Sequence, residues 1–372
     1  MYFQIIDNNK QCLKMYARGD FMDYHESTQF NKTWKHSVHL SDREDVEYAC
    51  LYSPDGTVET VCPIFITDSW ASSSSKISAI MKSVITSNCN IKDYCIYDYI
   101  PPHILNKFLG DRENVMKHVF ENIKKPQHYE ILRKAHILTE EMNVKENLYN
   151  GELKRTNYSV FGTRTGRLSN KKSGIPILTM KKEERSQLEP SNDLFVEFDF
   201  NAAEMRTLLA LSGKEQPEND IHDWNMQQSD GSENREEMKK RTFAWLYNPE
   251  ARDPLLERLY NRTWVKDHYR TSEGVKTPFS RFIETDERRA LNYIVQSTSS
   301  DVCIEQAYKL REFFKGSRTK VCYLLHDSVI LDFAKEDKEK FLEAKSIFAD
   351  TRFGKYVVNS GIGKNFGEMK EV

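Results

Sequence analysis

From Val321 to Leu331 two apolar runs are separated only by His326, Asp327 and Ser328. A polar break that short leaves room for a tight antiparallel hairpin, with Asp327 carried at its tip. A second segment supplies a strand that could lie beside it. Leu194, Val196 and Phe198 alternate onto one face, as a half-buried strand requires. Asp199 stands where that strand ends, and a helix runs on through Leu211 to Ser212-Gly213. A carboxylate at a strand end is rigidly held and open to solvent, which suits a Mg²⁺ ligand. Taken singly, Asp199 reads better as a turn residue with no chemistry, and the hairpin carrying Asp327 could be purely structural. As neighbours, the two would form the paired carboxylates of two-metal phosphoryl transfer, which bridge cations about 3.5–4 Å apart.

Composition limits what surrounds this pair. With 372 residues, and roughly 100–200 residues per domain, the chain accommodates two to three domains. A hydrophobic fraction of 39%, 30% charged residues, 12% aromatics and a mean hydropathy of -0.68 describe a soluble globular protein. No apolar run reaches the ~18–20 residues needed to cross a bilayer, and Met1 to Lys10 shows no targeting pattern, so a cytoplasmic location without membrane partners is expected. The seven cysteines contain no C-x-x-C pair and no zinc spacing with the ten histidines, which reads as reduced thiols. The 54 basic residues against 56 acidic give a net charge of -2. That excludes a globally basic nucleic-acid binder and leaves room for a local basic groove. Residues 151–190 hold nine Lys or Arg against four Glu, a local excess of +5 around Thr163-Arg164-Thr165-Gly166-Arg167-Leu168-Ser169.

Along the chain, residues 1–100 read as β-rich, with Val46 to Ile66 a hairpin turning at Ser53-Pro54-Asp55-Gly56. From Pro101 to about Asn150 the pattern is helical and charged, most clearly at His128 to Leu148. The remainder alternates strands and helices and holds every chemical feature, which places a soft boundary near residue 150.

Two helical faces stand out there. Arg235, Lys239, Phe243 and Tyr247 recur at four-residue steps before Asn248-Pro249, presenting two cations and then two aromatics. In isolation this is an amphipathic helix with Phe243, Leu246 and Tyr247 in the core and the cations in water. It also suits a triphosphate gripped by Arg and Lys with a base stacked on the aromatic end. Arg288, Asn292 and Gln296 share a second face, either a solvated stripe or a row of donors along a sugar-phosphate edge.

In this order the segments resemble a family A DNA polymerase, the DNA polymerase I type, from about residue 160 to the end. Thr165-Gly166-Arg167-Leu168-Ser169 is similar to the T-G-R-L-S segment, Asp199 to Arg206 to motif A (D-Y-S-Q-I-E-L-R), and Asp220-Ile221-His222 to D-I-H. Arg235, Lys239, Phe243 and Tyr247 match motif B. Glu287 to Gln296 with Thr298 and Asp301 resembles E-R-x-A-x-N-x-P-x-Q-G-T-A-A-D, His326-Asp327 matches motif C, and Gly361-Ile362-Gly363 the C-terminal G-I-G. The departures are specific: Ser328 replaces the Glu of H-D-E, Ala202 the motif A Gln, Asn248 the Gly after Tyr247, Ile294 a Pro and Ser297 a Gly.

The resemblance implies an α+β right hand of palm, fingers and thumb. Its antiparallel palm sheet and shortened fingers (about 214–285) occupy 156–372, with a reduced thumb-like region at 101–155 and a β-rich region of unassigned role at 1–100. It implies template-directed addition of dNTPs to a primer 3′-hydroxyl with two Mg²⁺, or Mn²⁺ in their place. Asp199 and Asp327 would be catalytic metal ligands, Phe200 a further metal contact and Lys239 catalytic. Arg235, Lys239, His222, Phe243, Tyr247 and Glu204 would hold the dNTP, and Arg167, Arg288, Asn292, Gln296 and His326 the primer–template. Glu204 would be the steric gate against a ribose 2′-hydroxyl; Asn201-x-x-Glu204 also has the spacing of a helix-capping box. Residues 1–150 lack a placed D-x-E, so no exonuclease is assigned, and a separate exonuclease or processivity factor is a possible partner. A compact chain of this kind suggests a viral, phage-type origin. The alternatives are a single-subunit RNA polymerase, which Glu204 and T-G-R-L-S oppose, and a non-catalytic DNA-binding relative, suggested by Ser328.

Overall fold

Leu194–Phe200 is the middle strand of a five-stranded antiparallel sheet, flanked by Ser328–Phe333 and Val358–Gly363, with Lys320–Leu325 and Lys370–Glu371 at the edges. Its central place explains why Phe195, Val196, Phe198 and Phe200 are all at most 1% exposed. The alternation predicts one wet face, whereas both faces are covered. Phe198 and Phe200 lie against Phe348 of helix Phe341–Ala349, with centroids 6.1 and 4.2 Å apart. Phe195, on the other face, meets Tyr323 and Phe366. Only Glu197 and Asp199, further along that second face, stay half-buried.

The computed structural model describes residues 2–4, 14–17, 20–23, 63–87, 99–122, 127–143, 145–172, 174–229 and 234–372. The chain divides into two units, Met1–Tyr129 and Glu130–Val372, each mixing helix and strand. The division falls ahead of residue 150 because the residues on either side of that position are tied together. Thr156 donates to the Met142 carbonyl at 2.8 Å, Tyr323 to Asn147 at 2.9 Å, and Lys145 pairs with Asp332 at 2.9 Å. The helix expected over His128 to Leu148 runs Tyr129–Met142. Glu146–Tyr149 is instead a strand that turns at Asn150-Gly151, both at positive φ, onto Glu152–Arg155. That Asn-Gly pair is a strong hairpin signal.

In the first unit Tyr2–Gln4, Lys14–Ala17 and Asp20–Asp23 form a three-stranded antiparallel sheet. Residues 46–62 of the expected hairpin lie outside the described residues. Ile64–Ile66 is a 3₁₀ turn leading into a 20-residue helix, Thr67–Thr86, in place of β structure. Trp70, Ser73, Ile77, Ile80 and Val84, among its buried and half-buried positions, step by three and four, which is helical and not strand periodicity. Trp70 stacks on Phe108 of helix Pro102–Asn122 at 5.3 Å, and Ser69 and Ser73 donate to the buried Asp111 at 2.8–2.9 Å. Among the described residues no helix is long and apolar enough to cross a membrane.

In the second unit one apolar cluster draws on several helices, three of which bear on the site. Met205, Leu208 and Leu209 come from Ala203–Leu211, Trp245 and Leu246 from Arg235–Tyr247, and Leu291, Ile294 and Val295 from the 27-residue helix Glu287–Phe313. These are the helices that carry the polar residues singled out above.

Candidate active site

The hairpin register brings the two aspartates together. Leu325 pairs with Ser328, so His326 and Asp327 form a two-residue turn, and Ser328 is the cross-strand partner of Asp199. The Phe200 N–H donates to the Asp327 carbonyl at 3.2 Å, fastening the hairpin tip to the end of the middle strand. Both corners use non-glycine residues in the left-handed region, His326 at φ 50° and Ala202 at φ 49°. Each costs about 1 kcal/mol or more and persists because its surroundings hold it.

Burial, then the charges of Asp327 and Glu197, pushes the Asp199 carboxyl up to about 7, with Asn359 opposing as a hydrogen-bond donor. Asp327 is pushed up to about 6, again first by burial, with Glu204 and Glu197 adding and Arg167 opposing. Ser328, 3% exposed, donates to Glu197 at 3.1 Å. The Phe200 ring is stacked on Phe348, so only the main chain of Phe200 faces this chemistry.

Glu204 is the junction of the site. It accepts hydrogen bonds from Arg167 and from the Tyr247 hydroxyl, and its charge is felt at Asp327. It forms no capping box. The cap residue of its helix is Ala202, without a side-chain bond, and Asn201 is engaged elsewhere. The Asn201 carbonyl oxygens receive Arg206, its Oδ1 also accepts from the Ile221 N–H at 3.0 Å, and its amide donates to Asp220 at 2.7 Å. Arg206, 0% exposed, further donates to the Pro217 carbonyl at 2.9 Å and the Asn219 carbonyl at 2.6 Å. Sequence reasoning passed over Arg206, Asn201 and Asp220 as carriers of the site, although all three stood inside its quoted motifs.

Asp220 caps helix Ile221–Gln227 by accepting from the His222 and Asp223 N–H groups and pairs with Arg235 at 2.6 Å. Burial alone would raise its carboxyl. Arg235, Asn201 and the two N–H groups hold it well below the usual range instead. His222 is 2% exposed, its Nδ1 has no hydrogen-bond partner, and burial keeps its imidazole below the ordinary histidine range. It contacts the Phe243 ring at 5.7 Å and feels the charges of Arg235 and Lys239. The Arg235–Tyr247 helix starts with a capping box between Asn234 and Glu237. Met238, Thr242, Trp245 and Leu246 are buried, Lys239 and Phe243 half-buried, and Arg235 and Tyr247 exposed. The face with two cations and two aromatics therefore lies at the edge of the core, where Phe243 packs partly against the apolar cluster and stacks on Tyr247 at 6.0 Å.

Gly166 turns at φ 76°, and a Cβ there would lie 2.4 Å from the Arg281 guanidinium, so the T-G-R-L-S turn needs its glycine. Arg281 is itself paired with the fully buried Asp301 at 2.7 Å. On helix Glu287–Phe313 Arg288 is exposed and Asn292 and Gln296 half-buried, beside buried Ala290, Leu291, Ile294 and Val295. His326 is exposed at the hairpin tip.

Among the described residues no three His, Cys, Asp or Glu are placed to hold an ion by themselves. The donor set nonetheless fits Mg²⁺, which is a hard cation commonly held by one or two carboxylates with substrate phosphates supplying the rest. Asp199 and Asp327 are partly buried carboxylates, and the charge of Asp327 raises the cost of ionising Asp199.

No known protein family and no curated protein matches the sequence. Among solved structures, the chain is similar to the POL domain of Pol1 from M. smegmatis in complex with DNA primer-template and dNTP. The TM-score is 0.49 at 11% identity, covering 93% of this chain and 73% of that one.

Proposed function

We propose that the chain is a template-directed DNA polymerase of the family A type that adds dNTPs to a primer 3′-hydroxyl, without an exonuclease of its own. The observation that carries this reading is the convergence at Glu204. Arg167 of the T-G-R-L-S turn and Tyr247 of the helix Arg235–Tyr247 both bond to it, and it lies within electrostatic reach of Asp327. Segments far apart in sequence thus meet at one side chain, which supports the reading.

Two Mg²⁺ ions held by Asp199, Asp327 and the main chain of Phe200 would supply charge neutralisation for attack on the α-phosphate and departure of pyrophosphate. Arg235, Lys239 and the buried His222 bind the triphosphate, His222 as a neutral donor. Phe243 and Tyr247 form the stacked surface for the nascent pair. Glu204, held by two donors, stands rigidly enough to exclude a 2′-hydroxyl. Arg288, Asn292, Gln296 and His326 lie along the primer–template without reading bases. Catalysis by such a site is positioning and electrostatics.

Primer extension by the purified chain tests the reading. Wild type extends a labelled primer with Mg²⁺ and dNTPs, prefers dNTPs when NTPs compete, and loses at least about a hundredfold in rate in Asp199→Ala and in Asp327→Ala. Extension by either variant at the wild-type rate rejects the two-carboxylate assignment, and preference for NTPs makes the chain an RNA polymerase.

A further inference from the structure

Ser328 stands where the polymerase pattern carries a carboxylate, and the sheet shows where a carboxylate is available in its place. Side chains at i and i+2 of a strand share a face, so Glu197 lies beside Asp199 on the face that stays half-buried. Ser328 is directly across from Asp199, and its diagonal neighbour on the middle strand is Glu197, within the reach of long side chains. The Ser328 hydroxyl donates to Glu197 Oε1 at 3.1 Å. On the other side the cross-strand partner of Glu197 is Gly361, and Oε2 points to that side, where a Cβ on Gly361 would stand 3.5 Å from it in ordinary contact. Glu197 is thus half-buried with one oxygen anchored by Ser328, at the end of the sheet where Asp199 and Asp327 meet, and its charge acts on both.

We propose that Glu197 is the third carboxylate of the reaction centre, moved from the hairpin to the middle strand, with Ser328 as its anchor. The inference rests on the polymerase reading. Because no three carboxylates are placed to share an ion among the described residues, Glu197 is a positioning residue. It accepts hydrogen bonds from water on an ion held by Asp199 and Asp327, since Mg²⁺ and Mn²⁺ keep several waters in such sites. Carboxylates in this outer layer typically change metal affinity about 10–100-fold.

The test is Mn²⁺ titration followed by electron paramagnetic resonance, on the full chain bound to a dideoxy-terminated primer–template and dNTP. Glu197→Gln retains an acceptor for Ser328 and removes the charge, and its Mn²⁺ affinity is expected to fall about tenfold or more. The exchange variant Glu197→Ser/Ser328→Glu is expected to regain most of what Glu197→Ser alone loses. Wild-type Mn²⁺ affinity in Glu197→Gln overturns the proposal, as does an exchange variant that folds and binds Mn²⁺ no better than Glu197→Ser. If the exchange variant does not fold, Glu197→Gln decides alone. Failure of the wild type to extend a primer rejects the polymerase reading; extension by the wild type with unchanged Mn²⁺ affinity in Glu197→Gln rejects only the relocation.

Discussion

Asp199 and Asp327 show how one residue type takes its acidity from its surroundings. An Asp in a turn has an ordinary carboxyl; these two are raised to about 7 and about 6 by burial and neighbouring negative charge. Because the folded values lie above the unfolded one, the folded chain binds more protons than the unfolded chain between about pH 4 and about pH 7. The contribution of these groups to stability is therefore lost as pH rises through that window. Thermal melts without divalent metal should show Asp199→Asn gaining on wild type from about pH 4 to about pH 8, with the gap narrowing when Mg²⁺ is added. A gap that is flat or opens in the acid direction contradicts the assigned environment. Glu197 is the residue that sequence reading left unassigned. Its signal was present, a charged side chain on the same strand face as Asp199, but its link to Ser328 exists only across two strands separated by more than a hundred residues.

At the scale of elements, the strand-to-helix corner after Asp199 depends on a polar network more than on helix capping. The spacing Asn201-x-x-Glu204 predicts a capping box, yet both side chains are used to join elements: Asn201 to Asp220 and Ile221, Glu204 to Arg167 and Tyr247. Local propensity yields here to tertiary bonds that satisfy more groups. Arg206 holds the connection between helices Ala203–Leu211 and Ile221–Gln227 through the carbonyls of Asn201, Pro217 and Asn219. Arg206→Ala leaves these acceptors without a donor and is expected to cost about 3 kcal/mol or more in urea unfolding. It is also expected to raise the KM for dNTP, since Asp220 and His222 follow that connection. A loss below about 1 kcal/mol would mean water replaces the guanidinium and the network is not structural. The hairpin Lys320–Leu325 to Phe333 and the helix Arg235–Tyr247 were legible in sequence because turn length and four-residue periodicity are local properties. Thr67–Thr86 was open to the same periodicity argument, and the neighbouring turn chemistry obscured it.

For the molecule as a whole, a net charge of -2 says little about DNA binding, and the +5 stretch at 151–190 says less than its count suggests. Arg155 is paired with Glu146 and Arg167 with Glu204, both acids outside the stretch, so part of that excess is neutralised within the protein. Primer–template affinity, measured by fluorescence anisotropy, should still fall about tenfold or more for a fourfold rise in NaCl, as two or more phosphate contacts require. Salt-independent affinity would remove the phosphate-tracking roles of Arg288 and the basic stretch. The sequence by itself determined the candidate elements: a hairpin with Asp327 at its tip, a strand ending in Asp199, and a helix with Arg235, Lys239, Phe243 and Tyr247 on one face. These follow from turn length, alternation and helical period, which act over a few residues. Tertiary structure alone decided that the middle strand is covered on both faces, that Arg206 and Asp220 hold the corner, that Glu204 joins Arg167 to Tyr247, and that Ser328 meets Glu197. Those outcomes depend on strand order and register, which bring together groups whose separation along the chain carries no local signal.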